Sequence, residues 1–188
     1  MKGRDYMNVT KETQKLVIAA MLLTMAVIIQ ILGKSIPQIS QFLVGPTVNA
    51  ILLLTLYFSG LKWALLVGVS TPVLAFLTGV LAAPMGPFTP FIAVGNGLYV
   101  LVFSLLMNRR NGETVGVIIA SLAKFLFLYF SATQIINIFA LGIPEPVKLN
   151  LAIAMGIPQF ITALVGGFVA IFLHILLRKR LKNTRQAQ

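Results

Sequence analysis

The sequence predicts an all-α integral membrane protein: one transmembrane domain over residues 1–188, a six-helix bundle with both termini cytoplasmic. Apolar residues make up 58% of the chain, at a mean hydropathy of +0.94, and they come in runs of membrane length. Six such runs, about 16–33, 42–58, 61–81, 90–107, 114–141 and 149–177, are joined by short connections, and an even number returns the chain to its starting side. The basic residues divide unevenly between the two sides. With cytoplasmic termini, twelve of the fifteen lie inside (Lys2, Arg4, Lys11, Lys15, Lys62, Arg109, Arg110 and five from Arg178 to Arg185), and outside there are only Lys34 and Lys148. An excess of Lys and Arg marks the cytoplasmic face.

The first run follows a polar, basic lead but is too long for the apolar part of a secretory signal. No small-residue cleavage site follows it, so it is read as a mature helix. Asn8-Val9-Thr10 matches a glycosylation sequon that would face the cytoplasm. Gly33-Lys34-Ser35 echoes the end of a P-loop, yet Ile28 stands where the first glycine is required. The outer connections GKSIPQISQ, AAPMGPFTP and GIPEPVKLN are rich in proline, which favours rigid, non-helical links able to cap a cavity. The inner ones are tight: Ser59-Gly60, and Asn108 to Glu113. Pro72 is expected to kink or open the third helix. Ala163-x-x-x-Gly167 and Gly166-x-x-x-Ala170 place small residues one turn apart on the last helix, as Ala19, Ala20 and Thr24 do on the first, allowing close helix approach.

The fifth run carries Lys124 near its middle. A lysine at that depth costs about 2.5–3.5 kcal/mol on insertion scales, so it normally faces a bundle interior or a wet cavity and has a partner. The chain has four acidic residues, Asp5, Glu12, Glu113 and Glu145, and none lies inside an apolar run. About 15 Å of helix separates Lys124 from the start of its segment, more than a lysine stem spans by snorkelling. The membrane amides share the outer half: Gln30, Asn49, Asn96, Gln159, and, above Lys124, Gln134 and Asn137. Amides serving only to glue helices would be spread over both halves, whereas a cavity open to the outside needs them in one. At 100° per residue Lys124, Ser131 and Gln134 fall within about an 80° arc, lining one side of such a cavity, while Asn137 drifts further round. Phe88, Phe91, Tyr99, Phe127 and Tyr129 are candidates to stack on a flat ligand. His174, within a turn of the Arg178-Lys179-Arg180 cluster, is read as a neutral interfacial residue.

Zero cysteine and a single histidine argue against disulfides, thiolate sites and an imidazole metal cluster, so no metal or other cofactor is expected. The net charge of +11 sits at segment ends, where a membrane protein keeps its anchors, and does not indicate nucleic acid. No cluster of carboxylate, cysteine or histidine lies at membrane depth, which disfavours an embedded enzyme.

The whole chain resembles the substrate-binding S components of energy-coupling factor (ECF) transporters, the vitamin importers of bacterial and archaeal cell membranes. The resemblance rests on the length, on Leu16-Val-Ile-Ala-Ala-Met-Leu-Leu-Thr24 in the first helix, on Gly45-Pro46 opening the second, and on Pro158-Gln159 and Gly166-Gly167 in the last. It implies high-affinity binding of a vitamin or related small molecule near the outer face, followed by toppling in the membrane to release it inward. It also implies association with a transmembrane coupling subunit and two ATPases. Contact with the coupling subunit uses an alanine-x-x-x-alanine pattern in that family, whose nearest match is Ala20-x-x-x-Thr24. A tryptophan-rich loop of the thiamine-binding kind and a glycine-rich biotin-type signature are both missing from the sequence, and Lys124 favours a carboxylate or phosphate on the substrate. The alternative reading is a self-sufficient secondary transporter of a small anionic or zwitterionic solute, for which Lys124 and Pro72 are the only pointers.

Overall fold

Long apolar runs that satisfy their own backbone are what a bilayer permits, and the chain forms them almost throughout. The computed structural model describes the backbone of residues 2–35, 37–138 and 142–186, and side chains within 10–35, 42–138 and 142–180. The helices are α1 (Lys2–Lys34), α2 (Pro37–Ser59), α3 (Leu61–Leu77), α4 (Thr89–Leu106), α5 (Gly112–Phe130), α6 (Ile136–Ile138), α7 (Glu145–Ala154) and α8 (Ile157–Gln186), with no strand among the described residues. Five stretches are long and apolar enough to cross a membrane: Thr10–Lys34, Phe42–Ser59, Ala83–Leu106, Gly112–Ile138 and Glu145–Arg180. Leu61–Leu77 is a shorter apolar helix, at the lower limit of a span at about 25 Å.

The helices close into a ring in the order α1, α2, α8, α5, α4, α3, with α3 packing back on α1. Leu52, Leu53, Val100, Phe103, Val117 and Ala120 are fully buried inside it. Outward-facing side chains such as Met21, Leu66, Leu105, Leu126 and Phe172 are exposed apolar groups, a surface suited to lipid. Small residues set the tightest contact. A methyl on Gly166 would overlap Pro46 O and Asn49 Cβ, and one on Gly167 would overlap Val117 and the Tyr99 hydroxyl, so α8 lies directly on α2 and α5.

Several boundaries differ from the sequence reading. Helix α2 starts at Pro37 and α7 at Glu145, so the proline-rich connections are largely helical. Proline needs no N–H partner in a first turn, and Pro90 and Pro146 sit at that position. The link before α4 is a 3₁₀ helix, Ala83–Phe88. The single helix expected over 149–177 is two, α7 and α8, broken at Met155-Gly156, because Pro158 belongs in a first turn and not in a helix interior. The run expected over 114–141 passes from α5 through a π turn, Ser131–Ile135, into α6, and its end at 139–141 lies outside the described residues.

Candidate functional site

Lys124, 2% exposed, sits midway along α5 and turns its Nζ into the ring. It donates to Asn49 Oδ1 at 2.6 Å and to Asn96 Oδ1 at 2.7 Å, and lies over the Tyr99 ring, 5.4 Å from its centroid. An ammonium only donates, so each amide must offer its oxygen, and the opposite end of each is tied down. Asn49 Nδ2 donates to Gly45 O at 2.9 Å, and Asn96 Nδ2 to Gly68 O at 3.0 Å. The second anchor stems from Pro72. Proline has no N–H, so the carbonyl four residues earlier, Gly68 O, loses its helical donor and is left for Asn96. Two bonds from a charged donor, at about 1.5–3 kcal/mol each, match or exceed the ~2.5–3.5 kcal/mol that insertion of a lysine costs. Lysine therefore stays at this depth without a carboxylate.

Above this floor lies a cavity of about 230 Å³. Its polar lining is Gln30, Asn49, Thr71, Asn96, Lys124 and Gln159, and its walls include Val44, Val48, Pro72, Ala75, Ile92 and Met155. These positions belong to the last turns of α1 and α3, the first half of α2 and α4, and the α7–α8 break. The cavity thus opens toward the end of the bundle opposite the two termini. Gln30 Oε1 is buried there without a hydrogen-bond partner among the described residues. The described carboxylates are engaged elsewhere: Glu12 with Lys15 at 2.7 Å, Glu145 with Lys148 at 2.8 Å, and Glu113 with the Tyr57 hydroxyl at 3.0 Å. Lys124 has neutral partners within the chain and no countercharge among them. Among the described residues no three of His, Cys, Asp and Glu converge.

Five of the seven expected pocket residues, Lys124, Asn96, Asn49, Gln159 and Gln30, line one cavity. Gln134 and Asn137 do not. Both are exposed, and Asn137 instead accepts from Lys148 Nζ at 3.1 Å and donates to Thr133 O at 3.0 Å. For Gln134 the π turn is the reason: its extra residue rotates the helix by roughly 100° away from the arc that uniform α geometry gives. Asn137 lies off that arc already in uniform geometry. Among the described residues no aromatic side chain lines the cavity. Phe88 and Phe91 stack on each other at 5.3 Å, the Tyr99 hydroxyl donates to Ala163 O at 2.9 Å, and Tyr129 is exposed. His174 stacks on Tyr57 at 3.9 Å, at the end of the bundle that holds the termini.

On α1, Ala20 and Thr24 are exposed, and the Thr24 hydroxyl bonds to Ala20 O at 2.9 Å. Ala19 does not share that face. It is buried at 3% exposure with Ala26, since one step of 100° turns it into the ring. Sequence reasoning missed Thr71, Pro72 and Gly68 as parts of the site. The signal was present: Pro72 frees the carbonyl of Gly68, and a freed carbonyl at depth needs a donor.

A family model described as ECF transporter, substrate-specific component, matches residues 14–178. No curated protein and no solved structure matches the chain.

Proposed function

Because the chain belongs to the substrate-specific components of ECF transporters, we propose that the cavity above Lys124 binds a vitamin or related small molecule with high affinity for delivery to an ATP-driven importer. The observation that carries this reading is the cradle itself. Asn49 and Asn96, from two helices, are held so that both oxygens meet one buried lysine at the floor of a cavity. Such preorganisation keeps polar contacts to a solute cheap, because the groups are ordered before it arrives.

The basic termini put the closed end of the bundle in the cytoplasm, and the mouth then faces outward, as the charge distribution favours. The site residues in this reading are Lys124, Asn96, Asn49, Gln159 and Gln30. Transport requires a transmembrane coupling subunit and two ATPases, the partners of this family, in a bacterial or archaeal cell membrane. Ala20 and Thr24 offer the coupling subunit a small, exposed surface. The Thr24 hydroxyl is already satisfied by its own helix, so a partner helix can approach closely and detach again.

Reconstitution tests the proposal. Purified alone, the protein is expected to bind one solute tightly at one site without moving it. Proteoliposomes are expected to accumulate that solute only when the coupling subunit, both ATPases and ATP are present. Sustained uptake by this chain alone would instead establish the self-sufficient secondary transporter.

A further inference from the structure

Resting on the reading that the cavity holds the transported solute, we infer that this solute is a compact, non-aromatic acid carrying at least one N–H or O–H donor. Its anionic group meets Lys124 on the floor, and its donor meets Gln30 nearer the rim. An ammonium has three N–H groups, and Asn49 and Asn96 accept two of them. Both acceptors are neutral, and every described carboxylate is engaged away from Lys124. A buried cation in that setting is best matched by an anion brought in by the solute.

Gln30 supplies an independent observation. It is 8% exposed, lines the same cavity, and its Oε1 has no partner among the described residues. A buried carbonyl oxygen recruits an N–H or O–H, and it turns away a solute that presents only acceptors or only hydrocarbon at that end. Gln30 stands one turn from the end of α1, whereas Lys124 is six residues, about 9 Å, short of the end of α5 at the same side of the bundle, with the π turn and α6 still beyond, so the two groups address different parts of the solute.

The walls and the size narrow the class further. Val44, Val48, Pro72, Ala75, Ile92 and Met155 provide aliphatic contact, and none of the described residues places a ring for a flat solute to stack on. Among the described residues no carboxylate lines the cavity, so a cationic solute finds no countercharge there. The volume of about 230 Å³ falls below the roughly 300–1,000 Å³ of drug-sized sites.

The test is calorimetric titration of the purified full chain in detergent. Pantothenate and biotin serve as non-aromatic acids with donors, and panthenol and biotinamide as their uncharged counterparts. Nicotinate serves as a flat acid, riboflavin as a flat ring system and thiamine as a ring cation. At least one non-aromatic acid is expected to bind, with its uncharged counterpart about 30-fold weaker, equivalent to ~2 kcal/mol. In Lys124→Met that gap is expected to shrink to within about 3-fold. Gln30→Leu, at a rim position where folding is least at risk, is expected to weaken the acid by about 5-fold or more. If no member of the panel binds, native mass spectrometry of protein extracted from its own membrane reads the composition of the solute it retains, and a non-aromatic acid with a donor is expected. Tighter binding or retention of thiamine, riboflavin or nicotinate overturns this inference while leaving the solute-binding role in place. Failure of every solute to bind or co-purify removes both.

Discussion

Replacing Asn96 by leucine removes two hydrogen bonds at little change in volume, from Lys124 Nζ at 2.7 Å and to Gly68 O at 3.0 Å. The first, from a charged donor, is worth about 1.5–3 kcal/mol. Loss of the second leaves Gly68 O with the Thr71 hydroxyl at 3.3 Å, so its cost falls at the low end of the range, about 1 kcal/mol. Asn96→Leu is therefore expected to lower stability by ~2.5–4 kcal/mol and the unfolding temperature by roughly 5–15 °C for a chain of this size. Lys124→Met alone strands two buried acceptors, but in the Asn96→Leu background it strands only one. The double variant should then be more stable than the sum of the single effects implies, by a coupling of about 1.5–3 kcal/mol. Thermal unfolding of the four proteins in one detergent, followed by circular dichroism, measures that coupling. A value under about 0.5 kcal/mol would mean that the two side chains act independently, and would refute the cradle as an energetic unit.

Other substitutions separate the floor from its supports. Pro72→Ala restores an N–H to Gly68 O and releases Asn96, so unfolding temperature is expected to rise or hold while solute affinity falls severalfold; parallel melts and titrations should show the two moving in opposite directions. Gly166→Ala pushes a methyl against Pro46 O and Asn49 Cβ, and a loss of about 1–3 kcal/mol with weaker binding is expected in the same assays. Gln134→Leu and Asn137→Leu, outside the cavity and exposed, should leave solute affinity within about 0.5 kcal/mol of the parent when titrated side by side.

The helices were legible because hydropathy alone selects a span, and membrane insertion leaves few other structures for such runs. Relative height was legible for the same reason, since counting residues along each helix sets Asn49, Asn96 and Lys124 at neighbouring levels, and in the fold they meet. Azimuth was not. The face a residue shows depends on the turn being uniform, and one π turn moved Gln134 out of the arc that holds Lys124. Pairing was also hidden, because Lys124 meets partners 75 and 28 positions away in the chain, and only the closing of the ring, with α4 beside α5 and α8 between α5 and α2, brings them together. Ala19 shows the limit from the other side: a small residue suits an interface to a partner and an interface within the bundle equally, and in this chain it serves the second.

Gly60, at φ 89, is the whole connection between α2 and α3, and Ser59 beside it donates its hydroxyl to Lys15 O on α1 at 2.9 Å. A link of one residue has no slack, so in the folded protein α2 and α3 cannot change depth independently of one another. The strap to α1 ties that joint to a third helix. Half of the cavity wall is thereby fixed in height from a single point, at the end of the bundle farthest from the cavity mouth.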